Sequence, residues 1–167
     1  MCGLLRRDGI KMNITIVAIG KKHDAKLSES ITEYSERLSH YIKLEWKLLE
    51  VKITSSMLDD QIKNLESELL FSAINSADRV ILLDERGAQF DSPTLAIKIQ
   101  SLMNQSTKNL VIVIGGAFGV NENLMQRADF IWSFSKLVFP HQLVRLILVE
   151  QLYRAHTILA GEKYHHI

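Results

Sequence analysis

Residues Val111 to Val120 read VIVIGGAFGV: a run of apolar, mostly β-branched residues, then Gly115, Gly116 and Gly119. An apolar run without alternation is how a strand covered on both faces looks, and clustered glycines place a turn at its carboxyl end. Gly115 and Gly116 would let the backbone approach a ligand and take up positive φ. The spacing is G-G-x-x-G, not the G-x-G-x-x-G of dinucleotide sites, and no Lys-Ser/Thr pair follows to make a phosphate loop. On its residues alone the turn is either an ordinary tight strand-to-helix connection or a binding site.

Four further strands stand around this one: Asn13–Gly20, Glu45–Ile53, Arg79–Glu85 and Phe130–Ser135. Arg79–Glu85 is also apolar without alternation. Glu45–Ile53 alternates Trp46, Leu48, Val51 and Ile53 with charges and so belongs nearer an edge. Helical periodicity fills the gaps. Ile31, Tyr34, Leu38 and Tyr41 make one stripe, and Leu58, Ile62, Leu65, Leu69 and Ala73 another. Asp91-Ser92-Pro93 is a helix start with a capping side chain and a first-turn proline; Asn121 caps a short helix to Arg127, and Pro140 opens one to Leu159. Strand and helix alternate throughout, which predicts an α/β fold: a mostly parallel sheet with helices on both faces.

The bulk properties narrow the functions. The 167 residues suit one domain, and 47% hydrophobic residues suffice for a full core. A formal net charge of +1 argues against a protein that coats RNA or membrane by charge alone. The single cysteine, Cys2, excludes a disulfide framework and a cysteine metal cluster, and points to a reducing cytoplasm. The most apolar region, Leu143–Leu152, is broken by Arg145 and Glu150, so no membrane span is expected. The opening MCG resembles the nucleophile end of a glutamine amidotransferase, but nothing downstream fits that fold; residues 1–11 are expected to be an unstructured leader.

Ligands of open parallel sheets sit beyond the strands' carboxyl ends. Three such ends here carry unusual residues: Asp84-Glu85-Arg86-Gly87, Gly115–Gly119 and Ser133–Gln142. Asp84 and Glu85 have the chemistry of a general acid and base. Their adjacency on a strand end points them to opposite faces, and a solvated pair, or Glu85 paired with Arg86, is the plainer reading. His141, at a helix start, is a proton carrier or a structural histidine. The helix it opens is apolar nearly all round and is expected at a dimer interface, with a central core helix as the alternative. Beyond Lys136, basic residues lie among Tyr153, Tyr164 and four of the six histidines, a composition suited to phosphates and an unpaired base.

Taken in order, LLDERG, VIVIGGAFG, SFSKLVFPHQLVRLILVEQLYRA and the ending G-E-x-Y-H resemble the RlmH-type (YbeA-like) methyltransferases of the SPOUT class, from Met12 to the C-terminus. The family starts at the position of Met12, which implies an extension at 1–11 and a single domain at 12–167. The resemblance implies a SPOUT-type α/β knot, its C-terminal segment threaded as a deep trefoil, and an obligate homodimer without metal. It further implies S-adenosylmethionine bound among three loops: Leu83, Gly115, and Phe134, Ser135, Lys136, Leu137, Val138 and Phe139. The implied reaction is methylation of N3 of a pseudouridine in large-subunit (23S) rRNA on assembled ribosomes. Arg154, Tyr164 and His165 are the implied substrate and proton-handling groups, with His141 as a further candidate. Some members end Tyr-His-Arg-Glu, whereas this chain ends Tyr164-His165-His166-Ile167. The competing expectations are a SPOUT enzyme acting on tRNA or another rRNA site, and a non-catalytic α/β nucleotide-binding module.

Overall fold

The computed structural model describes residues 12–166; the expected leader at 1–11 lies outside them. Five parallel strands form one sheet in the order β2-β1-β4-β3-β5. In chain order the elements are β1 (Asn13–Ile19), α1 (Ser28–Ser39), β2 (Lys43–Leu49), α2 (Asp59–Ser72), β3 (Arg79–Ala88), α3 (Ser92–Asn104), β4 (Asn109–Ile114), α4 (Glu122–Arg127), β5 (Phe130–Trp132) and α5 (His141–Leu159).

Strand pleating sends alternate side chains to two separate cores. Ile14, Ile16 and Ala18 of β1, with Leu110, Ile112 and Ile114 of β4, pack toward Leu38 of α1, Leu95 and Ile99 of α3, and Leu148, Val149 and Leu152 of α5. Val17, Val111 and Val113, with Val80 and Leu82 of β3, pack on the other face with Leu70 of α2 and Leu124 of α4. The lack of alternation in β3 and β4 is thus explained, because both of their faces are covered.

The caps agree with the sequence. The Asp91 carboxylate accepts from the Thr94 N–H at 2.9 Å, and the Asn121 side chain accepts from the Leu124 N–H at 3.1 Å. Strand limits shift from expectation, most of all in β2, β3 and β5. β2 lies at the sheet edge as predicted but runs Lys43–Leu49, since its residues pair one for one with Asn13–Ile19 and pairing stops where β1 stops. β3 continues to Ala88, and β5 stops at Trp132, where its register on β3 shifts between Leu83 and Ala88. The chain then leaves the sheet, with the Ser133 N–H bonded to the Ala88 carbonyl at 3.0 Å.

Candidate active site

The carboxyl ends of β3, β4 and β5 meet around a cavity of about 810 Å³. Its walls are the segment from Leu83 to Arg86, the turn from Ile114 to Val120, and the segment after β5 with the first turn of α5. Leu83, Gly115, Phe134, Ser135, Leu137, Val138, Phe139 and His141 all line it. Lys136, in the same loop, is exposed and is not part of the lining. The loop holds its shape through its serines: Ser133 Oγ donates to the Ser135 carbonyl at 2.7 Å, and Ser135 Oγ accepts from the Leu137 N–H at 3.0 Å.

The glycine turn works differently from the expectation. Positive φ falls on Gly119 (78°), not on Gly115 or Gly116. A Cβ at Gly116 would stand 2.0 Å from Glu66 Oε2, and one at Gly115 would stand 2.8 Å from Val120 Cγ1. These glycines are small because protein packs behind them. Glu66 comes from α2 and is 4% exposed, with Oε2 unpartnered among the described residues. Burial raises its pKa, since the charged form has lost water.

The carboxylates of the first loop are also corrected. Arg86 pairs with Asp84, not Glu85: its Nε donates at 2.7 Å and its Nη2 at 2.8 Å, a two-pronged contact. The guanidinium holds the Asp84 carboxyl below its usual range, so it stays ionised and occupied. His141 is a titratable group on the cavity wall. It is the first residue of α5 and is half-buried on the cavity wall. Burial and the Arg145 charge lower its pKa, and the positive end of α5 also disfavours an imidazolium.

Arg154, Tyr164 and His165 do come together, but not at this cavity. Arg154 donates to Glu150 Oε1 from Nε at 3.0 Å and lies 3.4 Å from His165 Nδ1. Its guanidinium stands 4.7 Å from the Tyr164 ring centroid, and the Tyr164 hydroxyl donates to Glu150 at 3.1 Å. Burial, with Tyr34 and Glu150 beside it, raises the Tyr164 pKa. His141 and Arg154 stand thirteen positions apart on α5, about 20 Å along a helix axis. Trp132, Val144 and Lys63 also line the cavity and were not legible from sequence as site residues, nor was Glu66, which packs behind the glycine turn. The last two belong to a helix remote in sequence from every glycine or loop motif.

Over residues 12–165 the sequence matches the family described as "Predicted SPOUT methyltransferase". The chain belongs to the SPOUT methyltransferase family. Proteins named ribosomal RNA large subunit methyltransferase H, from Christiangramia forsetii and Flavobacterium johnsoniae, are 46% and 42% identical to it; each alignment covers 93% of this chain and 99% of the relative. The namesake from Acetivibrio thermocellus is 42% identical over 92% of this chain and 99% of its own length. A probable methylase family protein from Haemophilus influenzae shares the fold, with a TM-score of 0.52 at 14% identity over 93% of this chain and 71% of that one. In this SPOUT methyltransferase the three strand-end loops that sequence singled out are the three walls of one cavity. Among the described residues no group of His, Cys, Asp or Glu side chains is arranged to hold a metal ion, and no helix is long and apolar enough to cross a membrane.

Proposed function

We propose that residues 12–167 form a single domain that methylates N3 of a pseudouridine in large-subunit rRNA, using S-adenosylmethionine, as a cytoplasmic homodimer on assembled ribosomes. The observation carrying this reading is the cavity where the three strand ends meet, in a chain whose near-full-length relatives are named as large-subunit rRNA methyltransferases. The threading of the C-terminal segment as a trefoil knot belongs to the same proposal.

The lining fits the cofactor. Leu83, Ile114, Phe134, Leu137, Val138 and Phe139 suit an adenine ring, and the main chain of the glycine turn suits ribose and base edges. Glu85, exposed at the rim, suits a cationic sulfonium or ammonium better than a phosphate. S-adenosylmethionine, when bound, supplies an activated methyl group. The protein's part is to orient the target base and remove its imino proton. His141 is held neutral on the cavity wall, so it can accept that proton at a ring nitrogen. Arg154, Tyr164 and His165 offer a cation and aromatic edges to a nucleotide.

The distance along α5 means that one chain does not place both groups on one base, and a second copy resolves this. Phe118, Leu137 and Val138 are 43%, 69% and 79% exposed at the cavity rim, and Leu143, Leu146 and Ile147 of α5 are only half-covered. Pairing these apolar surfaces would bring the Arg154 cluster of one protomer to the cavity of the other. The test is mass spectrometry of rRNA from a strain lacking the gene, with and without this chain restored. One methyl on a large-subunit pseudouridine should vanish and return. Restoration of a tRNA methyl instead would transfer the activity to the other SPOUT substrate class.

A further inference from the structure

Arg145 is a fully buried guanidinium with no carboxylate partner among the described residues. An isolated charge in a protein interior is costly, so its contacts need an explanation. All of them lead to the last residue of β1 and the segment between β1 and α1, which reads Gly20-Lys21-Lys22-His23-Asp24-Ala25-Lys26. Arg145 Nη2 donates to the Ile19 carbonyl at 2.5 Å. Its Nη1 donates to the Lys22 carbonyl at 3.1 Å and lies 3.3 Å from His23 Nδ1.

Gln142, on the same turn of α5, grips the segment a second time. Its Oε1 accepts from the Asp24 N–H at 2.9 Å, and its Nε2 donates to the Lys22 carbonyl at 3.4 Å. His23 meets the Trp46 ring edge-on at 4.7 Å. Gly20 has a φ of 122°, and a Cβ there would stand 3.0 Å from Arg145 Nη2, so the close approach favours glycine. The backbone of this loop is therefore fixed, while Lys21, Lys22 and Lys26 are exposed and form no ion pair among the described residues. The one acid in the segment, Asp24, has its Oδ1 engaged by the Lys26 N–H at 2.9 Å.

Because the sheet is parallel, the carboxyl end of β1 lies at the same edge as the cavity. The α5 turn that holds the loop also carries His141 and Val144 of the cavity wall. We propose that Gly20–Lys26 is a preorganised phosphate-docking loop for the RNA substrate, with Arg145 and Gln142 as the positioning residues that hold it beside the cofactor cavity; this rests on the rRNA reading above. Three lysines carried on a held backbone meet the RNA backbone without first having to order a loop. They supply a local cationic surface in a chain whose net charge is only +1.

The experiment is salt-dependent binding of the full chain to purified bacterial large ribosomal subunits, run beside titration with S-adenosylhomocysteine. The K21A/K22A/K26A variant should bind the subunits about tenfold or more weakly at low salt. Its log affinity against log salt should be shallower by about 2–3, at ~0.7–0.9 for each phosphate that is no longer neutralised. Its affinity for S-adenosylhomocysteine and its melting temperature should match the unmodified chain, and the triple Lys→Arg variant should keep both affinity and slope. Gln142→Ala loosens the loop without removing charge, so it should lower affinity several-fold with the slope unchanged. A triple alanine variant with the original salt slope overturns the loop's role. If the unmodified chain itself fails to bind the subunits, the rRNA reading falls and takes this inference with it.

Discussion

Replacing Gly116 by alanine places a methyl group 2.0 Å from Glu66 Oε2, 2.6 Å from its Cδ and 2.9 Å from Oε1. Ordinary carbon contacts begin near about 3.5 Å, so the carboxylate must swing aside or the turn must move into the cavity. Glu66 is a flexible side chain, which lowers the cost, but it is buried and has little room to move. Overpacking of this kind costs about 1–3 kcal/mol, and the flexible end puts Gly116→Ala at roughly 1–2. For a chain of this length that is a fall of about 2–8 °C in Tm. Because Gly116 lines the cavity, affinity for S-adenosylhomocysteine should fall as well. The decisive assay is a double-mutant cycle by thermal melting and calorimetric titration. In a Glu66→Ala background the new methyl enters vacated space, so the same substitution should cost about 1 kcal/mol less. Strict additivity of the two substitutions would refute the account of why the turn carries glycine there.

Four other outcomes follow from the same geometry. Glu66 has a raised pKa in the fold, so its contribution is most favourable at low pH and is lost as pH rises through that raised value. Glu66→Gln should therefore gain stability relative to the unmodified chain as pH rises above the free glutamate value of 4.5, and a pH-independent gap in Tm would contradict this. His23, His141 and His156 have the opposite sign: burial lowers each below 6.5, so their stability is present above that value and lost as pH falls; melting curves from about pH 7.5 to about 5.5 test it. Val138→Asp, at an exposed rim position, should convert a dimer to a monomer in sedimentation while keeping the melting transition. Arg154→Ala should abolish rRNA methylation yet leave S-adenosylhomocysteine affinity within about twofold, because Arg154 does not line the cavity; equal loss of both would place it in the cofactor site.

Much of the architecture was open to reading because local chemistry dictated it. The unalternating VIVI of β4 required cover on both faces, the Asp91 and Asn121 caps fixed two helix starts, and the three odd strand ends mark the cavity. Motif resemblance added the family and the loop residues, of which Lys136 alone turned out not to line the cavity. What lay beyond reach depended on neighbours distant in sequence. Where β2 ends is decided by β1, its pairing partner. That Arg86 holds Asp84 and not Glu85 is decided by which face of β3 each carboxylate takes. The glycines of the opening stretch most clearly divide the two kinds of knowledge. Their spacing showed a turn, but only packing revealed that α2 stands behind it with a buried glutamate. Likewise, Arg145 reads in sequence as a charge interrupting an apolar helix. In three dimensions it is the clamp on the loop after β1, because backbone carbonyls more than 120 residues away compensate its burial.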